Sequence, residues 1–299
     1  MNTIYLDAAH TDDQRRDELY QGQLFVYSPN NVSNQFCDFA DKLIRDTFGD
    51  VDPEMAQWQM PVDLYVNVLR KLKPTFIHHP ESKRFIQDIL RVQGCDLEKT
   101  YFDVPRLRSS TSNNYLTSGI AYAFHPHRDT WYSAPMSQVN WWMPVYDIGQ
   151  KNCLALHPQY WNAPIKNDSN LFNYKAWNED SRKNSAQHVN EDTRWQPKPQ
   201  EPIELDPQLR IITNPGGMIL FSAAHLHSSV PNTSGKTRFS IDFRTIHIDD
   251  IRSGKGAPNI DTAAQDLTLG DFLCAADFSH LPTELIQQDV VARVSPVEV

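Results

Sequence analysis

The segment Phe124-His125-Pro126-His127-Arg128-Asp129 concentrates imidazoles and a carboxylate within six residues. On an extended strand, residues two apart point to the same side, so His127 and Asp129, with His125 beside them, can converge on one ion. Imidazole plus carboxylate suits Fe(II), Mn(II) or Zn(II). An isolated H-x-D triplet arises easily by chance, so the pattern needs a partner elsewhere. One lies far along the chain, in Ala224-His225-Leu226-His227-Ser228-Ser229-Val230-Pro231-Asn232, where His225 and His227 are both candidates for a further ligand. The run Thr237–Arg244 follows, and its alternation puts Arg238, Ser240, Asp242 and Arg244 on one face. Two arginines among β-formers are unusual for a core strand. They fit the wall of a polar cavity, because a guanidinium can grip a carboxylate through two parallel hydrogen bonds.

These groups need elements to hold them. Phe36, Phe39, Ala40, Leu43, Ile44 and Phe48 recur at helical spacing after the candidate caps Asn30 and Asn31, and Gly49-Asp50 ends the run. Further helical patterns cover Val62–Leu72 and Ser82–Val92, the latter closed by Gly94. From Thr100 the texture changes to short apolar or alternating runs: Tyr101–Leu107, Ala121–His127, Gln138–Tyr146, Asn152–His157, Ile203–Leu205, Arg210–Thr213, Met218–Ser222 and Thr237–Ile246. Residues 162–200 form a polar insertion carrying Phe172, Tyr174, Trp177 and Trp195, and a last helix is expected over Leu269–Phe278. Helices precede strands without βαβ alternation, which argues against a doubly wound parallel sheet and for a mainly β fold with flanking helices, a sandwich or jelly roll.

At 299 residues, with 40% hydrophobic content, the chain can bury a sizeable core. We expect one domain over 1–299: a helical buttress (1–99), a β core (100–248) containing the insertion, and a helical C-terminal extension (249–299). A net charge of −9 repels phosphate backbones, so nucleic acid is not an expected partner. No apolar run is long enough for a membrane helix, and the start MNTIYLDAAHTDDQRRDELY lacks the apolar stretch of a secretory signal, which leads to the expectation of a soluble, cytoplasmic protein. Cys37, Cys95, Cys153 and Cys274 lie far apart with no C-x-x-C pair, as incidental thiols in a reducing compartment would.

As a set, the motifs resemble the Fe(II)/2-oxoglutarate-dependent oxygenases, whose pattern is H-x-D, a distant His, and an Arg eleven positions beyond it. His127, Asp129, His227 and Arg238 satisfy that spacing. The phytanoyl-CoA dioxygenase-like branch is the more similar one. Its L-H-G-S-G-P-N strand is matched by Leu226-His227-Ser228-Ser229-Val230-Pro231-Asn232, and its W-x-P-L strand by Trp142-Met143-Pro144-Val145. The likeness spans residues 100–247 and favours His127 and His227 over His125 and His225, which are then expected to pack or support. Where that branch has N-G-x-L and P-G-S-H, this chain reads Asn152-Cys153-Leu154-Ala155-Leu156-His157-Pro158-Gln159.

The resemblance implies a double-stranded β-helix of the cupin-like kind, with His127, Asp129 and His227 holding Fe(II). Arg238 would receive the remote carboxylate of 2-oxoglutarate, helped by Ser229 or Ser240, with Trp142 packed beside it. O2 is the other cosubstrate, succinate and CO2 are the co-products, and hydroxylation of a C–H bond in a small polar metabolite is the implied reaction. Arg128 should point away from the metal. Because Asp129 fills the position that halogenating relatives leave small, halogenation is not expected. Arg106, Arg108, Arg128 and Arg244 are candidates for meeting an anionic group, and Trp131, Tyr132 and Trp141 for lining the pocket. His78, His79, His157 and His188 read as surface or structural. Rival readings are a non-redox cupin-type metalloenzyme (isomerase or zinc hydrolase) and a non-catalytic binding protein on the same fold.

Overall fold

The computed structural model describes residues 3–121, 124–177 and 195–286. Two short strands, β1 (Ile4–Leu6) and β2 (Leu24–Tyr27), bracket α1 (Asp12–Tyr20), which opens on a Thr11 capping box. Asn30 caps α2 (Asn31–Phe48), its side chain accepting from the Val32 and Ser33 amides. After the short α3 (Ala56–Gln59) come α4 (Val62–His78) and α5 (Pro80–Val92), both longer than or equal to the helical patterns read from the sequence. His79 caps α5 through its ring nitrogen, with Pro80 in the first helical position.

The strands follow as β3 (Thr100–Phe102), β4 (Arg106–Ser110), β5 (Val139–Pro144) and β6 (Leu154–Leu156). A one-turn helix, α6 (Tyr174–Ala176), precedes β7 (Leu209–Ile211), β8 (Met218–Ser222), β9 (His227–Ser229) and β10 (Arg238–His247). Then come α7 (Ile248–Ser253) and β11 (Leu273–Cys274), and residues 283–286 turn helical at the end of the described chain.

Pairing defines the architecture. The larger sheet runs β8-β5-β10-β4 with antiparallel neighbours, and the smaller one runs β7-β6-β9, continued by a bridge between His227 and His127. Counting the His127 bridge as the second of eight strands from β4 to β10, the sheets are ordered 1-8-3-6 and 2-7-4-5. That is the jelly-roll arrangement, built as two facing sheets rather than a closed barrel. β2 and then β1 extend the larger sheet beyond β8, while β3 and β11 extend it along the second half of β10.

Period-two alternation assigns the faces. Trp141, Met143, Leu220, Phe239, Ile241 and Phe243 point to the helix side, where they join Phe36, Ile44, Leu69, Leu72, Phe76 and Ile89 in the main core. Their neighbours Trp142, Ile219 and Phe221 face between the sheets with Leu24, Val26, Leu154 and Leu156. The inter-sheet space is thus apolar on one side. Along β10 it meets the opposite residue set: Arg238, Ser240, Asp242 and Arg244.

Several expectations need correction. Leu269–Phe278 is not a helix: Leu269–Asp271 is a 3-10 turn and Leu273–Cys274 pairs with β3, which buries Phe272 and Cys274. Ile203–Leu205 is irregular, the Leu205 carbonyl being spent on His157. The strand read over Ala121–His127 narrows to the His127 bridge, with Tyr122 and Ala123 outside the described residues. The insertion is described only over 162–177 and 195–200, so His188 falls outside as well.

Candidate metal centre and cavity

His127 and Asp129 do converge, but not as alternate residues of one strand. His127 sits on the bridge to β9, and Asp129 begins the 3-10 turn Asp129–Tyr132, its amide donating to the Ala223 carbonyl at 3.0 Å. That turn swings the carboxylate back under the histidines. Nε2 of His127 lies 3.2 Å and Nε2 of His227 3.8 Å from Oδ1 of Asp129. One ligand atom from each of the three residues falls within 4.8 Å of the others, and all three side chains are buried. It is the one such cluster of His, Cys, Asp or Glu among the described residues.

The rings are oriented from behind. Nδ1 of His127 bonds the His125 carbonyl at 2.9 Å, and Nδ1 of His227 bonds the His225 carbonyl at 3.0 Å. A carbonyl only accepts, so both Nδ1 atoms carry the proton and both Nε2 lone pairs face the shared point. Burial, then the neighbouring His127, push the His227 imidazole down to about 4, so it is neutral and able to ligate at neutral pH. Burial opposes ionisation of Asp129. The close His127 contact and the two neighbouring imidazoles outweigh it and hold the carboxyl well below the usual carboxylate range. Its second oxygen, Oδ2, accepts from Gln138 Nε2 at 3.3 Å, and the same amide donates to Asn140 at 2.9 Å. Arg244 Nε stands 3.9 Å from that oxygen.

His125 and His225 are supporting residues, as the sequence register implied. His225 is fully buried against Trp161, with Nε2 on the Gly22 carbonyl at 2.9 Å. Gly22 has φ of +87°, and a Cβ there would fall 2.4 Å from the Trp161 ring, so only glycine closes this contact. His125 meets Tyr132 and the Pro197 carbonyl. His157, far from the surface, takes its proton on Nδ1 to the Leu205 carbonyl and accepts from Ser228 at 3.0 Å, next to His227.

Arg238 opens β10 as a buried guanidinium. Nη1 donates to the Asn152 carbonyl at 3.0 Å, Nε has no partner among the described residues, and Cζ lies 5.6 Å from the Trp142 ring centre. Burial pushes this guanidinium down to about 10, so it stays charged at neutral pH. Ser240, two residues on, is buried, and its hydroxyl has no partner among the described residues. A cavity of about 1150 Å³ joins the three ligand candidates to Arg238, Ser229 and Trp142, and continues past Tyr132, Phe172 and Trp177 to one face of α4. Two sequence candidates belong elsewhere. Arg128 turns away from the triad, as expected, and its guanidinium is consumed by Asp261 and by the Tyr160 and Ala224 carbonyls, which removes it as a receiver of substrate charge. Trp131 is buried, with its indole on the same Asp261.

Gln138, Asn140 and the α4 face were not singled out from sequence. Gln138 stands just before a strand of buried residues, which is the one signal that marked it. No protein-family profile matches the chain, and no curated protein is detectably similar. Among solved structures, the chain is similar to EvdO2 from Micromonospora carbonacea var. aurantiaca complexed with 2-oxoglutarate, at 13% identity and TM-score 0.46, over 80% of this chain and 92% of that one. It is also similar to the non-haem α-ketoglutarate-dependent epimerase SnoN from nogalamycin biosynthesis (10% identity, TM-score 0.39, 79% and 84% covered). A third likeness is to the non-haem monooxygenase ThoJ (11% identity, TM-score 0.42, 88% and 91% covered).

Proposed function

We propose that the chain is a mononuclear non-haem iron oxygenase that uses 2-oxoglutarate and O2 to hydroxylate a C–H bond of a small polar metabolite, such as a sugar, amino-acid or natural-product derivative. The observation that carries this reading is the buried His127–Asp129–His227 triangle sharing a cavity with a buried guanidinium, Arg238. A zinc hydrolase has use for the triangle but none for the guanidinium.

The donor set fits Fe(II): two imidazoles whose Nδ1 atoms are held by carbonyls, with Nε2 toward the shared point, and one carboxylate. His127, Asp129 and His227 would hold the iron, which with 2-oxoglutarate and O2 would supply the oxidation that puts one oxygen atom on the substrate carbon and the other in succinate, with release of CO2. The protein's part is to position and to exclude. His125 and His225 carbonyls fix the ring tautomers, and Gln138 holds the non-ligating oxygen of Asp129. Arg238 would take the remote carboxylate of 2-oxoglutarate, using the Nε that has no other partner among the described residues. Ser240 and Ser229 would add hydroxyl donors, and Trp142 would keep water off that ion pair. Asp129 as a ligand favours hydroxylation, desaturation or cyclisation over halogenation. The match of Leu226–Asn232 and Trp142–Val145 supports the phytanoyl-CoA dioxygenase-like branch, and four free, buried cysteines support a reducing, cytoplasmic setting.

Anaerobic titration with Fe(II) and 2-oxoglutarate tests this directly. A visible charge-transfer absorption that disappears in His127→Ala and Asp129→Ala is the expected result. Absence of the band in the unmodified protein overturns the proposal.

A further inference from the structure

The cavity's other described flank is built by α4, β4 and β10, and its charges do not balance. Lys73, Arg106, Arg108 and Arg244 line it, against the carboxylates of Asp103 and Asp242. Asp103 takes Arg106 at 2.5 Å and Arg244 at 2.9 Å, and Asp242 takes Arg108 at 2.6 Å and meets Arg244 at 3.5 Å. Asp103 and Asp242 thus share three guanidiniums, with Asp129 also 3.9 Å from Arg244, and Lys73 has no carboxylate within ion-pair distance among the described residues. Its ammonium meets the Ile120 carbonyl instead. The other lining carboxylates are committed, Asp129 to the histidines and Asp271 to the Tyr174 hydroxyl. Arg70, exposed on the same face of α4, adds another positive charge.

An uncompensated cation in a partly desolvated wall is costly, and an anionic occupant relieves it. Resting on the oxygenase reading for the word substrate, we propose that the substrate carries an oxyanion, a carboxylate or a phosphate ester, and that Lys73 with Arg108 receives it. α4 is well suited to this, because Leu69, Lys73 and Ile77 recur every four residues and present one ammonium between two apolar side chains. A charged tail gripped there, with aromatic Phe172 and Trp177 on the cavity wall, would fix which C–H bond approaches the metal centre. Lys73 is a specificity residue and takes no part in the oxidation. Its geometry is matched by its electrostatics. Burial, then Arg108, push the ammonium down to about 7, against the pull of Asp242.

Calorimetric titration of the metal-free full-length chain with inorganic phosphate and with acetate tests the site without relying on iron. Saturable binding is expected, weakened about tenfold or more in Lys73→Met and restored in Lys73→Arg. Tighter binding of phosphate than of acetate would identify a phosphate ester, and the reverse a carboxylate. Acetate stays ionised from about pH 6 to about pH 9, so its affinity should fall over that range as Lys73 loses its proton, and stay flat in Lys73→Arg. Absence of binding by the unmodified chain, or equal binding by Lys73→Met, would overturn the proposal. The charge-transfer band should be intact in Lys73→Met. If the unmodified chain shows no band yet Lys73→Met still loses oxyanion binding, the oxygenase reading fails and the oxyanion site stands.

Discussion

His127 and His227 are backbone partners: each amide donates to the other's carbonyl at 3.0 Å, and their rings lie 4.3 Å apart. Residues a hundred positions apart in sequence are therefore locked in register by the ladder itself, and a one-residue slip would turn one ring out of the site. Without a metal, two Nε2 lone pairs and a carboxylate oxygen crowd one point. Fe(II) added anaerobically should raise the melting temperature, since a ligand at about a thousand times its Kd adds about 4 kcal/mol, or roughly 8 °C in a chain of this length. His227→Ala should lose the shift. A variant that keeps it in differential scanning fluorimetry would mean the metal sits elsewhere.

Gln138 acts on the centre through Asp129, gripping Oδ2 so that Oδ1 faces the histidines. Gln138→Leu keeps the volume and removes the amide. Metal affinity should fall by about ten- to a hundredfold, the usual loss when a ligand's hydrogen-bond partner is removed, with the fold intact by circular dichroism. Gln138→Glu, which places a second carboxylate against Asp129, should weaken it too. Undiminished affinity in both would show that the turn alone positions Asp129.

How much of this was written in the sequence depends on what each residue buries. β8 was legible to the residue, because Met218–Ser222 is an unbroken buried run between glycine and a turn. α2 is legible from its cap and apolar stripe, and α4 and α5 from their helical patterns, α5 also from the closing Gly94. α1 was not, because its buried face is made of Arg15 and Arg16 beside Leu19 and Tyr20, with the arginines neutralised by Asp12 and Asp250. No apolar periodicity reports such a face. The candidate metal ligands stand out as residue types at the spacing of the family they resemble, yet in place of the strand geometry expected for His127 and Asp129 there is a 3-10 turn. Periodicity also cannot tell whether a helix stripe faces a core or a cavity, so no sequence signal marks Lys73.

On the proposed reading, Arg238 separates cosubstrate binding from metal binding. Arg238→Met retains the length of the side chain and its contact with Trp142 while deleting the charge. The loss of a buried, charge-assisted pair should cost about 2 kcal/mol or more, at least about thirtyfold in 2-oxoglutarate affinity. The stabilisation by Fe(II) alone should be unaffected. If 2-oxoglutarate binds the variant as tightly as the unmodified protein, measured by the anaerobic absorption band, the guanidinium serves another anion.

Acid should unfold the metal-free protein partly through His225. The ring is fully buried, its N–H on the Gly22 carbonyl, and burial pushes it down to about 3. Its folded value lies below the unfolded one, so between about pH 6.5 and about pH 3 the unfolded chain binds a proton that the folded chain refuses. Stability is therefore full above that window and declines as pH falls, by about 1.4 kcal/mol per unit. His227, at about 4, adds its own slope in the same range. Glutamine at 225 retains an N–H donor for Gly22 but has no proton to gain. Between about pH 6.5 and about pH 4.5 the melting temperature of His225→Gln should fall less than that of the unmodified chain, by the equivalent of about 3 kcal/mol. Parallel pH profiles for the two proteins would place the acid lability in other groups.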